Sequence, residues 1–315
     1  MRTFSELSGK FFELYGQASY ADALALVQAS QASFPDHRTE MITWEVCMQS
    51  RLGCPGEAIQ TLSDAIHNST YWWNSSALRN DPDLAPLQGN PEYDRLVAIC
   101  DDRARAAKRD SRPERLVFAP PVVEGERYPL LISFHGWGQN ARMDAPHWQA
   151  LAGRGWLVAI TGSSQMIADG MRVWDDHDRA VSEALSHYEV LCREYPVDPE
   201  RIVLAGFSQG GGLALWLAVS QTIPGRGFIG VGPYLDDFDT LMPAITPHSS
   251  ALRIQLVTGA EEKDEGMFAQ IEELCVQRNI PFQQEIVPAL GHDYPANFKP
   301  MLQRAFTFIF ENEEG

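Results

Sequence analysis

The stretch that decides the fold is "RIVLAGFSQGGGLALWLAVS", residues 201–220. An apolar run, RIVLAG, leads into Gly206-Phe207-Ser208-Gln209-Gly210, and a helical pattern follows. The apolar run reads as a strand buried on both faces, and such strands belong to parallel sheets. A parallel sheet places its reactive groups beyond the carboxyl ends of its strands, where Ser208 lies. The G-x-S-x-G spacing marks a sharp strand-to-helix turn that holds a serine in a strained, exposed position. Glycines flank it because side chains there would collide with nearby backbone. The helix that follows aims its first N–H groups at the place where an oxyanion forms.

Around this turn, residues 113–315 alternate short apolar runs with helical stretches. The expected strands are RLVF, PLLISF, GWLVAI, RIVLAG, GFIGV, LRIQLV and FQQEIV, with clear helices over 177–194, 209–220, 265–278 and 297–310. That alternation predicts an α/β fold with a doubly wound, mostly parallel sheet. Residues 1–112 differ. Apolar residues recur at helical spacing in ADALALVQAS, MITWEVCMQSRLG and GEAIQTLSDAI, separated by turns at Phe34-Pro35-Asp36 and Gly53-Cys54-Pro55-Gly56. Ala23, Leu24 and Val27 echo Ala58, Ile59 and Leu62 at an offset of 35, close to the ~34-residue tetratricopeptide period. The reading is a small all-α, tetratricopeptide-like domain over 1–112 and a catalytic domain over 113–315, joined by the polar DDRARAAKRDSRPE. The helices are read as a stabilising appendage or as a surface for a protein partner or self-association.

The 315 residues carry a formal charge of -17, and residues 1–112 hold 11 basic and 15 acidic side chains against 14 and 27 in the remainder. Such acidity disfavours nucleic acid and anionic membranes. Five scattered cysteines without C-x-x-C spacing point away from disulfides and zinc. Without a signal-peptide pattern or an apolar run of about 18 residues, the expected location is cytoplasmic, with no membrane span.

A serine hydroxyl needs a base. Of the histidines after Ser208, His248 sits in the polar loop ITPHSS, whereas His292 sits in PALGHDYP between a strand and the last helix, and is the expected base. The acid is expected after LRIQLV, in TGAEEKDEG. Glu262 is preferred on spacing, with Asp264 as the alternative and Asp236, Asp237 and Asp239 as outside candidates. One oxyanion donor is the amide of Gln209, and the other is expected from the loop of FHGWGQN, whose His135 reads as structural. Trp137 and Trp174 are candidates to line a substrate cleft. The acids of WDDHD (174–178) read as the start of a helix rather than a metal site, and neither metal nor cofactor is expected.

Taken in order, FHGWGQN, SSQ, WDD, VDPERIVLAGFSQGG and GHDYP resemble the α/β-hydrolase superfamily, nearest its phospholipase/carboxylesterase and dienelactone-hydrolase-like branch. The resemblance covers roughly 113–315. It implies a serine esterase with Ser208 as nucleophile, His292 as base, and the amides of Trp137 and Gln209 as oxyanion donors. This branch usually carries Asp where the chain has Glu262. The expected activity is hydrolysis of short- to medium-chain acyl esters through an acyl-enzyme. The alternatives are a thioesterase or lysophospholipase-like hydrolase, or a helical scaffold with a vestigial hydrolase domain.

Overall fold

A computed structural model describes residues 3–121, 125–235, 238–245, 251–262 and 265–310. The chain forms two compact units, residues 1–111 with 166–171, and residues 112–165 with 172–315. The first unit contains six α-helices among its described residues: α1 (Phe4–Gly16), α2 (Tyr20–Ser30), α3 (Arg38–Arg51), α4 (Pro55–Asn68), α5 (Ser75–Asn80) and α6 (Pro91–Asp110). Four of these starts are marked by chemistry that favours them. Thr3, Asn74 and Asn90 accept first-turn N–H groups, and Pro55 and Pro91 occupy first positions that need no donor. Leu7, Phe11, Val27, Met41, Leu62, Ile66 and Leu96 meet in its own core.

The second unit is built on β1 (Glu114–Phe118), β2 (Tyr128–Phe134), β3 (Leu157–Gly162), β6 (Val197–Phe207), β7 (Gly227–Val231), β8 (Arg253–Gly259) and β9 (Phe282–Val287). They form one sheet in the order β1-β3-β2-β6-β7-β8-β9. Only the β1–β3 pair is antiparallel. The seven strands expected from the apolar runs are the seven observed. The sequence reading did not anticipate β4 (Gln165–Ala168) and β5 (Met171–Val173), a separate two-stranded ribbon too short for a periodic signal.

Alternate residues of the buried strands face opposite sides, so the sheet has two cores. Leu130, Ile132, Phe134, Leu204 and Phe228 pack with α8 (His177–Glu194), α9 (Ser208–Val219) and α11 (Glu265–Arg278). Leu131, Val203, Ala205, Ile229 and Val257 pack with α7 (Ala141–Trp148) and α12 (Phe298–Phe310). A four-residue helix, α10 (Leu241–Ala244), lies between β7 and β8. This is a doubly wound α/β-hydrolase architecture.

Strand β6 runs into α9 without a loop, and the two flanking glycines show why. A Cβ on Gly206 would stand 2.6 Å from the carbonyl of Gly210, and one on Gly210 would stand 2.2 Å from the Phe134 carbonyl oxygen and 2.3 Å from that of His135. Both obstacles are main chain, which cannot rotate away. Replacing Gly210 with Ala is therefore expected to push α9 off β2 and to destabilise the fold by about 1–3 kcal/mol, as overpacking does. The measurement is the denaturation midpoint of Gly210→Ala against wild type, with reduced activity in the folded fraction.

Candidate active site

Ser208 opens α9 with φ 51°, the left-handed region that a residue with a side chain adopts only when its surroundings impose it. No side chain caps the N-terminus of α9, which leaves its first amides to the space in front of Ser208. Tyr234 N–H donates to the Ser208 carbonyl at 2.9 Å and fixes the turn from the next strand's loop.

Glu262 and His292 come together. His292 Nδ1 lies 3.0 Å from Glu262 Oε2, and Glu262 Oε1 accepts the Gly259 N–H at 2.7 Å. With the proton on Nδ1 donated to the carboxylate, the lone pair of the neutral ring lies on Nε2. The Glu262 side chain is 2% exposed and the His292 side chain 41% exposed, so a buried carboxylate orients an accessible imidazole. The segment carrying Glu262 is tied to the segment carrying His292 by main-chain bonds, Ala260 to Val287 and Glu261 to Leu290, both at 2.9 Å. The imidazole rests against the ring of Phe207, centroids 4.8 Å apart, and Phe207 directly precedes Ser208. The other acid candidates are placed differently. Asp239 is exposed in a short turn of helix, while Asp264, Asp236, Asp237 and His248 lie outside the described residues.

The loop after β2 is held from several sides. Gly136 N–H donates to Gln139 Oε1 at 3.1 Å, Gly138 N–H to the Arg172 carbonyl at 2.9 Å, and Gln139 N–H to the Gly136 carbonyl at 3.1 Å. The N–H of Trp137 has no hydrogen-bond partner among the described residues, and its indole is 53% exposed. His135 is fully buried, with Nδ1 donating to the Gly136 carbonyl at 2.8 Å and Nε2 accepting the Ser163 N–H at 3.3 Å. Trp174 is buried, and its indole N–H donates to the His135 carbonyl at 2.9 Å. The Gln209 side chain accepts the Trp174 N–H at 3.0 Å and donates to Asp175 at 2.8 Å. Asp176 caps α8 by accepting the Arg179 N–H.

With this geometry in view, the comparisons with known proteins agree. Residues 124–295 match the phospholipase/carboxylesterase family, and residues 3–108 match the A/B hydrolase-like N-terminal domain. The chain belongs to the phospholipase/carboxylesterase family. An uncharacterized protein from Bacillus cereus ATCC 10987 is similar in fold, with 23% identity, a TM-score of 0.55, and coverage of 98% of this chain and 99% of that one. Esterase PE8 is similar over 62% of this chain and 99% of its own, at 16% identity and a TM-score of 0.52. A bifunctional acetylxylan esterase/xylanase of Neocallimastix patriciarum is 31% identical over 122 residues, 38% of this chain; the match spans 17% of that relative's length.

No signal in the sequence points to a buried network behind His292. Asp144 accepts the hydroxyls of Ser133 and Tyr294, both at 2.6 Å, and Tyr294 accepts the Trp148 indole N–H at 3.1 Å. Burial pushes the Asp144 carboxyl up. Tyr294 lies two residues after His292, so the network pins the His292 loop to β2 and α7. Asp144 sits in RMDAPHW with no local partner to mark it, and only folding brings it to Tyr294. Among the described residues, one group has metal-like spacing, Cys47, Asp81 and Asp83 in the helical unit. Asp81 caps its own turn, Asp83 takes the Tyr15 hydroxyl at 3.1 Å, and burial raises the Cys47 thiol against forming a thiolate ligand.

Burial lowers His135 to about 4, and does the same to His147 and His187. Each ring is neutral in the fold and takes up a proton on unfolding below its ordinary value near 6.5. The stability this confers is complete above about pH 6.5 and is lost as pH falls toward 4, about 3 kcal/mol for His135 alone. Calorimetry from pH 7 to 4 is expected to show a falling midpoint with proton uptake on unfolding, and His135→Gln is expected to flatten part of that fall.

Proposed function

We propose that this chain is a serine carboxylesterase, acting on short- to medium-chain acyl esters through an acyl-enzyme. The observation that carries the reading is the Glu262–His292 bond lying against Phe207, beside the strained Ser208. His292 Nε2 takes the Ser208 proton as Oγ bonds to the acyl carbon. The carbonyl electrons move onto oxygen, which rests on the amides of Trp137 and Gln209. The imidazolium, steadied by Glu262, returns its proton to the alkoxide; the ester C–O bond breaks and the alcohol leaves. Water then repeats the sequence, His292 taking its proton, and the free acid departs with Ser208 restored. Residues 113–315 carry this chemistry, and residues 1–112 form an accessory helical domain.

Short acyl groups fit the exposed Trp137 as a wall. They also fit the acetyl ester in the name of the Neocallimastix patriciarum relative. A fluorophosphonate probe is expected to label wild type and not Ser208→Ala, and Ser208→Ala is expected to lose at least about 10⁴ in kcat on p-nitrophenyl acyl esters. Glu262→Gln is expected to lose about 10⁴ while Asp264→Asn retains activity; the reverse result would transfer the role to Asp264. An acyl panel from acetate to decanoate, with matched thioesters, reads the chain-length and leaving-group preference.

A further inference from the structure

Gly232 follows β7 with φ 47°, and its N–H donates to the Val257 carbonyl on β8 at 2.9 Å, so its Cα is fixed by the sheet. A Cβ built there would stand 2.8 Å from Glu262 Oε2, 3.1 Å from Glu262 Oε1 and 2.9 Å from His292 Nδ1. Two of these separations are under 3.0 Å, closer than real Cβ atoms come, and they straddle the 3.0 Å bond that joins acid to base. The carboxylate has no easy retreat. It is buried, its other oxygen holds the Gly259 amide, and the imidazole is backed by the Phe207 ring. Glutamate is also one methylene longer than aspartate, so its carboxylate reaches further across the strand ends than a shorter acid on the same Cα.

We propose that Gly232 is a positioning residue matched to Glu262: its missing side chain is the notch into which the long acid extends to hold His292. This rests on the reading of Ser208, His292 and Glu262 given above. Gly232 touches the acid and base from a third loop, and neither the G-x-S-x-G spacing nor the acid's own loop reveals it.

The test compares Gly232→Ala, Glu262→Asp and the double variant by kcat and KM on p-nitrophenyl acetate, by fluorophosphonate labelling rate and by melting temperature. Gly232→Ala is expected to lose about 100-fold in kcat with little change in KM, as a displacement near 1 Å does to a reacting group. Drawing the carboxylate back in Glu262→Asp relieves the collision, so the double variant is expected to lose less than the product of the single losses. Gly155→Ala is the control: Gly155 has φ 86° with open space around its missing Cβ, so it carries the backbone strain alone, and its kcat is expected within twofold of wild type. A folded Gly232→Ala with kcat within twofold of wild type, or losses that multiply, would overturn the inference. If Gly232→Ala does not fold, the double variant is expected to fold, and its failure to do so is equally contrary. Absence of labelling in wild type overturns the underlying serine-esterase reading. Undiminished labelling in Gly232→Ala, with wild type reactive, overturns this inference alone.

Discussion

The structure depends on how closely the main chain of α9 approaches the end of β2. Gly210 stands so near the carbonyls of Phe134 and His135 that no side chain fits, and Gly206 faces Gly210 across the turn under the same limit. With no loop to absorb the reversal, the backbone at Ser208 takes a left-handed conformation that costs about 1–2 kcal/mol for a residue with a side chain. Packing on both faces of the sheet, from Phe134, Leu204 and Phe228 on one side and Val203, Ala205 and Ile229 on the other, supplies the stabilisation that holds this strain. The same approach sets the start of α9 beside the loop after β2, so two sets of amides converge on one region.

Around that junction the loops are fastened by polar groups taken out of water. The Gln209 side chain holds the main chain of Trp174, and the Trp174 indole holds the carbonyl of His135. Asp144 gathers Ser133 and Tyr294, and Glu262 gathers Gly259 and His292. A buried polar group that loses its partner costs about 1–3 kcal/mol, so each bond defines one arrangement and penalises others. The strand ends are thereby rigid where the proposed chemistry needs fixed donors, and the accessible member of the set is the imidazole of His292.

The two histidines nearest the site illustrate how environment assigns roles. His135 is sealed from solvent, both ring nitrogens are engaged, and burial keeps it neutral through the physiological range. His292 is half exposed, and its Nδ1 is paired with the buried Glu262 carboxylate. One ring is part of the frame, and the other stands open to solvent.

Much of the fold was legible because its signals are local. The buried strands of a parallel sheet are runs of apolar residues, and Gly206, Ser208 and Gly210 lie within five positions of one another, so their spacing carries their geometry. His292 and Glu262 were legible as candidates from their places after expected strands. Their bond itself depends on the fold, since 30 residues separate them and β8 and β9 must lie side by side before they meet. Asp144 and Tyr294, 150 positions apart, gave no local sign at all. Gly232 looked like any glycine at the end of a strand until Glu262 and His292 arrived beside it. Sequence alone determined the seven strands of the main sheet and the clearer helices, because backbone propensity and hydrophobic period are properties of neighbours in the chain. Only the tertiary structure decided which distant side chains share a hydrogen bond and where a missing Cβ makes room for one, because those depend on contacts that exist only once the sheet is assembled.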